Sequence, residues 1–340
     1  MKAAYFILLS FLSLITASCD QTDPMPPREG FSISRIYSIN VDGSGLRLIS
    51  IGNSFILLPN NKLFYLKNSK LYSCNVDGSD SVIISPVNLG VSQYQLISGG
   101  KKILFFQYEY PNVISFTMNL DGSGLNQLSK FVNLKANYGV AFSPDAKKIA
   151  FTTNAGFYIM NIDGTDQKLI RDTSNRSYCY DMSFAPDGND LFYIHDIQYG
   201  VALDLRLYNI ASGQDTSLFY NNDGNKIIAY EVSNWNTLLF SNGDGVNLEN
   251  LNNYTFKFLH NGGEPQFSYD STKITYVDFS SNTIYVEDIR QNDIKAITVN
   301  LPKNFISHPV LSLDEKKVFF QADSSWEVIV KRNSNDNIVY

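Results

Sequence analysis

One short unit repeats along almost the whole sequence. Residues 138–170 (YGVAFSPDAKKIAFTTNAGFYIMNIDGTDQKLI) show it best, because four runs at 139–143, 148–152, 157–161 and 167–170 are rich in aromatic and β-branched residues. Turn-forming residues bound the runs, among them Pro144-Asp145 and Asp163-Gly164. This pattern predicts four short antiparallel strands joined by hairpins. A sheet of this size cannot bury both of its faces alone, so it requires neighbours of the same kind.

Three parts of the unit recur at regular intervals. The Ser-Pro-Asp turn at 143–145 returns as Ala-Pro-Asp at 185–187, Ser-Tyr-Asp at 268–270 and Ser-Leu-Asp at 312–314. The aromatic second strand returns as KLFYL at 62–66, KILFF at 102–106, DLFYI at 190–194, TLLFS at 237–241, KITYV at 273–277 and KVFFQ at 317–321. The third-strand turn is N-[VLI]-D-G, and its aspartates are Asp42, Asp77, Asp121 and Asp163. Four strands in a repeat of about 40 residues predict the blade of a β-propeller.

The number of blades follows from counting strand pairs. First-and-second-strand pairs number seven, and they begin near Phe55, Tyr94, Tyr138, Tyr180, Tyr230, Pro265 and Pro309. Third-and-fourth-strand pairs number eight, because residues 35–50 precede the first complete unit. We expect this N-terminal hairpin to close the ring against the C-terminal blade and to cover its edge. We therefore predict an all-β propeller of seven four-stranded antiparallel blades, with eight or six blades as alternatives.

The repeat also resembles a known family. FSPD followed by an aromatic strand and then by a hydrophobic strand ending in N-[VLI]-D-G is similar to the WD-like repeat of TolB-type β-propellers. The resemblance covers about residues 31–340 and would itself imply six blades. It also implies docking of partner proteins or peptides at the mouth of the central channel. In contrast to TolB, we expect no separate α/β domain ahead of the propeller and we expect a lipid anchor.

The N-terminal residues predict export and anchoring. Lys2 precedes an apolar stretch at 3–15 that is short for a membrane span, and Thr16-Ala17-Ser18-Cys19 resembles the lipobox of bacterial lipoproteins. We expect a lipoprotein signal peptide at 1–18, a lipidated Cys19 with a flexible tether at 19–30, and a single propeller domain at 31–340. An ordinary secretory signal is the alternative. The expected location is the cell envelope of a diderm bacterium, at the outer membrane on its periplasmic or surface face.

Composition and cysteine usage exclude several classes of protein. The chain has 27 basic and 33 acidic residues, and its scattered Lys and Arg argue against a nucleic-acid partner. Cys74 and Cys179 lie in strands of distant blades, so we expect two buried thiols and no disulfide. Each Asp-Gly turn carries one carboxylate where a calcium loop needs several, so we expect plain hairpin turns.

A candidate site appears when the seven first strands are aligned. The alignment places Ser54, Gln95, Gly139, Asp181, Glu231, Glu264 and His308 at one level of the channel mouth, which we define as the opening where the innermost strands begin. Tyr138, Tyr180 and Tyr230, with Tyr94, precede four of them and would form an aromatic collar. Converging carboxylates raise one another's pKa unless a cation lies among them. We therefore expect a polar mouth that binds a metal ion, a basic peptide segment or a hydroxyl-rich ligand, or else a set of solvated strand starts.

Two functional classes remain open. The sequence contains no GxSxG, no HExxH and no phosphate-binding glycine-rich loop with lysine. We therefore expect a non-enzymatic envelope lipoprotein, held to the membrane by its lipid anchor and needing no cofactor, that binds an envelope protein, a peptide or another ligand at the channel mouth. The alternative is a carbohydrate-active enzyme or saccharide-binding propeller that uses mouth carboxylates such as Glu231 and Glu264, with or without a divalent metal.

Overall fold

The computed structural model describes residues 29–58, 60–86, 88–97, 100–109, 112–131, 140–153, 156–173, 177–185, 187–197, 202–221, 229–232, 237–242, 245–251, 255–291, 293–301, 304–328, 331–332 and 338–339. In these residues the chain forms strands and no helix, and the strands build seven four-stranded antiparallel sheets and one two-stranded sheet. The predicted all-β propeller of seven blades is therefore confirmed, and the alternatives of six and eight blades are not. No helix in the described residues is long and apolar enough to cross a membrane.

The strands follow the chain in blade order. The N-terminal pair is β1 (Glu29–Asn40) and β2 (Arg47–Ile51). Blade 1 contains β3 (Asn53–Leu57), β4 (Lys62–Lys67), β5 (Lys70–Asn75) and β6 (Val82–Ile83). Blade 2 contains β7 (Gln93–Ile97), β8 (Lys102–Glu109), β9 (Asn112–Asn119) and β10 (Asn126–Phe131). Blade 3 contains β11 (Val140–Phe142), β12 (Lys148–Thr152), β13 (Gly156–Asn161) and β14 (Lys168–Asp172).

The second half of the chain continues this arrangement. Blade 4 contains β15 (Ser177–Phe184), β16 (Asp190–Ile197), β17 (Ala202–Asn209) and β18 (Asp215–Asn221). Blade 5 contains β19 (Ala229–Val232), β20 (Thr237–Asn242), β21 (Gly245–Asn250) and β22 (Thr255–His260). Blade 6 contains β23 (Gly263–Phe267), β24 (Lys273–Asp278), β25 (Thr283–Asp288) and β26 (Asp293–Thr298). The last strands are β27 (Asn304–Leu311), β28 (Lys317–Val328), β29 (Lys331–Arg332) and β30 (Ile338–Val339), of which β29 and β30 form the two-stranded sheet.

Blade 7 joins the two ends of the chain. Its strand order is β2-β1-β28-β27, so the C-terminal part supplies the two inner strands and the N-terminal hairpin supplies the two outer ones. β1 pairs with β28 along all twelve of its residues, from Glu29 opposite Val328 to Asn40 opposite Lys317. The predicted closure by the N-terminal hairpin is confirmed. Because β28 is paired on both sides, the ring leaves no inner strand edge open at this junction.

Each blade buries its faces against its neighbours. The described residues contain seven clusters of buried hydrophobic side chains, and each cluster draws on two adjacent blades. The cluster that closes the circle joins Ile36 and Phe319 of blade 7 to Phe55 and Tyr65 of blade 1. First strands of neighbouring blades also contact one another, for example β19 with β23 and β23 with β27. These contacts place the first strands innermost, around the ring axis.

The recurring Asp-Gly turns are plain hairpin turns. Side-chain oxygens of the four aspartates each accept the backbone N–H two residues ahead at 2.9–3.0 Å. The following glycines have φ between +83° and +88°, which is the left-handed region. At Gly122 there is a second constraint, because a Cβ there would lie 2.4 Å from the carbonyl oxygen of Ile84 in blade 1. The turn of one blade is thus a packing contact with the outer strand of the previous blade.

Polar contacts also join adjacent blades. Between blades 3 and 4, Arg171 and Arg206 both contact the carboxylate of Asp215, and Tyr193 donates a hydrogen bond to it at 2.8 Å. Arg206 also contacts Asp204. Burial works to raise the pKa of Asp215, but the hydrogen bonds from Arg206 and Tyr193 and the charge of Arg171 lower it overall. This partly buried network of ion pairs and hydrogen bonds joins blades 3 and 4.

Cys74 and Cys179 are free and buried, as expected. Burial raises the pKa of Cys74 to about 11 and that of Cys179 to about 12. Both thiols therefore stay protonated at neutral pH and act as small apolar groups in the interblade cores.

Candidate functional site at the channel mouth

Four of the aligned residues share an unusual backbone conformation. Ser54, Asp181, Glu264 and His308 have φ angles of 50°, 47°, 49° and 60°, although none of them is a glycine. Each lies where the pairing of a first strand with its second strand shifts register. A non-glycine residue held in this region costs about 1–3 kcal/mol, and such residues and bulges are concentrated at functional sites. The bulges sit on the first strands of blades 1, 4, 6 and 7.

The bulges of adjacent blades are joined by hydrogen bonds. The backbone N–H of His308 in blade 7 donates to Oε2 of Glu264 in blade 6 at 2.7 Å. The backbone N–H of Ser54 in blade 1 donates to Oε1 of Gln321 in blade 7 at 3.3 Å, and the hydroxyl of Tyr94 donates to the carbonyl oxygen of Ser54 at 2.6 Å. Side chains of neighbouring blades therefore hold the backbone of the bulges in blades 7 and 1, although the bonded residues lie 40 or more positions apart in the sequence.

The ionisable members of this group have perturbed pKa values. Burial raises the pKa of the Asp181 carboxyl to about 7. Burial also raises the pKa of Glu264 to about 6, the N–H of His308 works against this, and the charge of Asp323 adds to it. Burial lowers the pKa of His308 to about 4, so this ring is neutral at pH 7. At neutral pH the mouth between blades 6 and 7 thus carries negative charge.

An aromatic pair lies beside these carboxylates. The rings of Phe279 and Phe305 stack with their centroids 5.0 Å apart and an interplanar angle of 12°. Phe279 rests over Gly263, the residue before Glu264, since a Cβ on that glycine would lie 2.7 Å from the ring. Phe305 is 52% exposed and stands opposite Asp323 in the pairing of β27 with β28. An exposed aromatic face and two carboxylates therefore share one end of blades 6 and 7.

The other predicted mouth residues occupy different positions. Gln95 is buried in the regular pairing of β7 with β8, opposite Leu104, and its amide donates to the carbonyl oxygen of Phe142 in blade 3 at 3.2 Å. Glu231 holds the same place in blade 5, opposite Leu239, with Tyr230 opposite Phe240. In blade 1 this place belongs to Ile56, two residues beyond the bulge at Ser54.

The predicted aromatic collar is only partly described. Tyr180 packs against the hydrophobic cluster between blades 4 and 5, and burial together with the charges of Asp196 and Asp181 raises its pKa. Tyr94 is buried with its hydroxyl bonded to backbone carbonyls. Tyr138, Gly139 and Cys19 lie outside the described residues, as do the side chains of Tyr230 and Glu231.

Sequence reasoning missed four residues of this surface: Phe279, Phe305, Gln321 and Asp323. The amide of Gln321 donates to Asp323 at 3.2 Å and 3.3 Å while its oxygen holds the Ser54 backbone. None of the four lies in a first strand at an aligned position, so the repeat gave no signal for them. Within the residues that the structure describes, no group of three or more His, Cys, Asp or Glu side chains could hold a metal ion.

The fold and these residues define a seven-bladed β-propeller with polar bulges on four of its innermost strands. No protein-family model matches the sequence, and no curated protein is similar to it. An oligogalacturonate lyase in complex with manganese is 13% identical with a TM-score of 0.53, over 78% of this chain and 82% of the lyase. The Cps50 (Swd1) propeller domain of Myceliophteria thermophila is 9% identical with a TM-score of 0.54, over 79% of this chain and 95% of that domain.

TolB from Acinetobacter baumannii is also a structural relative. It is 14% identical with a TM-score of 0.48, over 79% of this chain and 64% of TolB. At these identities a structural likeness shows the fold alone, since one propeller architecture carries unrelated functions.

Proposed function

We propose that this protein is a lipid-anchored protein of the cell envelope whose propeller binds a partner protein or peptide at the channel mouth. The observation that carries the proposal is the shared left-handed bulge at Ser54, Asp181, Glu264 and His308. Strain of this kind persists only where the surrounding structure imposes it, and here it holds polar side chains of separate blades at one opening. A rigid ring that presents several polar groups and an exposed aromatic ring at one end suits recognition of an extended ligand.

The position of β1 supports the link between mouth and membrane. β1 runs parallel to β27, because both are antiparallel to β28, so its first residue lies at the mouth end of blade 7. Residues 29–32 pair with β28 beyond the start of β27 at Asn304. A chain from Cys19 to Glu29 spans at most about 35 Å. An acyl anchor on Cys19 would therefore hold the mouth end near the membrane surface.

Affinity capture with matched variants tests the proposal. The full-length protein in detergent is used to capture partners from solubilised envelopes, beside an Asp181→Asn/Glu264→Gln double variant and an Asp293→Asn control on the outer strand of blade 6. We expect one stoichiometric protein partner with the wild type and the control, and much less with the double variant. Equal recovery with all three proteins would contradict binding at the mouth, and mass analysis of the N-terminal peptide would show whether Cys19 is acylated.

Saccharide binding is a second candidate, and the exposed ring of Phe305 favours it. Aromatic faces offer an apolar platform with which the CH groups of a sugar can pack, and carboxylates beside the ring can accept hydrogen bonds from hydroxyl groups. Recovery of glycans without a protein partner, lost on Phe305→Ala, would select this candidate over the first.

A further inference from the structure

We propose that the mouth between blades 6 and 7 binds a lysine or arginine side chain of a partner peptide, with the cation between Glu264 and Asp323 and the apolar stem of the side chain on Phe305. This inference rests on the proposed function and names the chemistry that its ligand must carry at this point. The proposed site differs from a general polar mouth because it selects a ligand whose cation is attached to an apolar stem.

The first step is the charge of the two carboxylates. Burial is the main cause of the raised pKa of Glu264 and the charge of Asp323 adds to it, so the two carboxylates interact unfavourably when both are ionised. The ion pairs of Lys147, Arg171, Arg206 and Lys273 involve other carboxylates. The adjacent base, His308, is 7% exposed, has no hydrogen-bond partner on Nε2 among the described residues and is held neutral by burial. A cation from a ligand would relieve this repulsion.

The second step is the fixed orientation of the hydrogen-bonding groups. One oxygen of Glu264 is occupied by the backbone N–H of His308, and both oxygens of Asp323 accept from the amide of Gln321. Gln321 is in turn held by the backbone of Ser54. These contacts keep the carboxylates in place before a ligand arrives, which lowers the entropic cost of binding.

The third step is the aromatic platform. Phe305 exposes half of its surface, and Phe279 stacks beneath it on the backbone of Gly263, so the ring has little freedom to move away. A lysine or arginine side chain can lay its methylene groups on such a ring, and its charge is attracted by the ring face. A hydrated metal ion would leave this ring unused, and an anionic saccharide would be repelled by both carboxylates.

The blades differ in what they carry at the bulge. Blade 4 carries a carboxylate at the same bulge, Asp181, and blade 1 carries Ser54. In blades 6 and 7 a stacked aromatic pair links a bulge carboxylate, since Phe279 packs on the residue before Glu264, to a second carboxylate, Asp323, which is paired with Phe305. We therefore assign the cationic anchor of the ligand to this sector of the mouth.

Peptide selection tests the inference without knowledge of the natural partner. A random-peptide phage library is panned against the full-length protein in detergent, and enriched sequences are synthesised in pairs in which arginine is replaced by citrulline or lysine by norleucine. Binding is measured with the wild type, Glu264→Gln, Asp323→Asn, Phe305→Ala and the Asp293→Asn control. Each of the two amide variants keeps one acceptor oxygen and the shape of the side chain, so their fold should be preserved.

We expect enriched peptides to share a basic residue at one position and to lose at least about tenfold in affinity when that residue or either carboxylate is neutralised, with no loss for Asp293→Asn. Peptides that need Phe305 but carry no basic residue would overturn this inference and leave the proposed function standing. Peptides that bind all variants equally would overturn both. Failure to enrich any peptide would count against a peptide anchor at this site.

Discussion

Asp181→Asn should stabilise the protein at neutral and alkaline pH while leaving it unchanged in acid. Burial raises the pKa of this carboxyl from its ordinary value of 3.8 to about 7 in the folded state. The folded protein therefore holds a proton that the unfolded chain releases between about pH 4 and pH 7. The wild-type free energy of unfolding falls as the pH rises through this window, because the unfolded state binds fewer protons than the folded state.

The magnitude follows from the width of the window. A shift of about 3 pKa units corresponds to about 4 kcal/mol at 1.36 kcal/mol per unit. Like a protonated carboxyl, an asparagine side chain has one acceptor oxygen and can donate hydrogen bonds. It carries no charge at any pH. The variant is therefore expected to match the wild type at pH 4 and to exceed it by up to about 4 kcal/mol at pH 8.

Urea unfolding followed by tryptophan fluorescence measures this difference. Both proteins are unfolded at intervals between pH 4 and pH 8, with Asp293→Asn as the control for loss of an exposed carboxylate. The difference between Asp181→Asn and the wild type should grow with pH and level off above pH 7. A difference that is constant across the range, or a variant that is less stable at pH 8, would refute the assignment of a buried, protonated carboxyl at the mouth.

Three further tests of the architecture use five substitutions, and each measures the change in the free energy of unfolding. Ile36→Ala in the buried junction of blades 7 and 1 should cost about 2–5 kcal/mol, whereas Leu48→Ala on the exposed side of the same hairpin should cost under about 1 kcal/mol. Gly122→Ala should cost more than Gly164→Ala, because both glycines have positive φ but only Gly122 meets a neighbouring backbone, and equal costs would contradict the turn packing. Asp215→Asn leaves Arg171 and Arg206 without their shared carboxylate and should cost about 3 kcal/mol, and a neutral effect would show that the network contributes little.

The blade architecture could be predicted from the sequence because the turns and strands of each repeat are specified by residues close together in the chain. Turn chemistry at the Asp-Gly positions and the short apolar runs of the aromatic second strands define a four-stranded unit, and the surplus N-terminal hairpin has one open strand edge to pair with. Closure through β1 followed from counting strands. The strand ends of the best repeat, 148–152 and 157–161, agree with β12 and β13 to within a residue.

The residues of the mouth could be predicted from the sequence only in part. Asp181, Glu264 and His308 each precede by six residues the aspartate of a turn that fixes strand spacing, so their alignment with one another held. Gln95 and Glu231 are followed by turns of other kinds, and their strands pair without the bulge. Each of them therefore lies two residues further along its first strand than the bulge residues do in the other blades. A shift of this kind depends on whether a residue adopts positive φ, and no sequence pattern specifies that for Asp, Glu or His.

The aromatic platform could not be foreseen for a different reason. Phe279 follows a second strand of blade 6 and Phe305 lies at the start of blade 7, so their stacking depends on how two blades meet. Asp323 lies beyond the repeated part of the second strand, on the extension that pairs with β1. These contacts are tertiary, and the period of the sequence carries no information about them.

Hydrogen exchange of the intact protein, read by mass spectrometry over the peptides that cover 33–40 and 317–324, tests the closed ring most directly. If the N-terminal strand completes blade 7, both peptides should be protected to the same degree as the inner strands of blades 2 to 6 and should lose protection together with them in urea. Rapid exchange of 33–40 beside protected inner strands would mean that the circle is open, and neither blade 7 nor the mouth built on it would then stand.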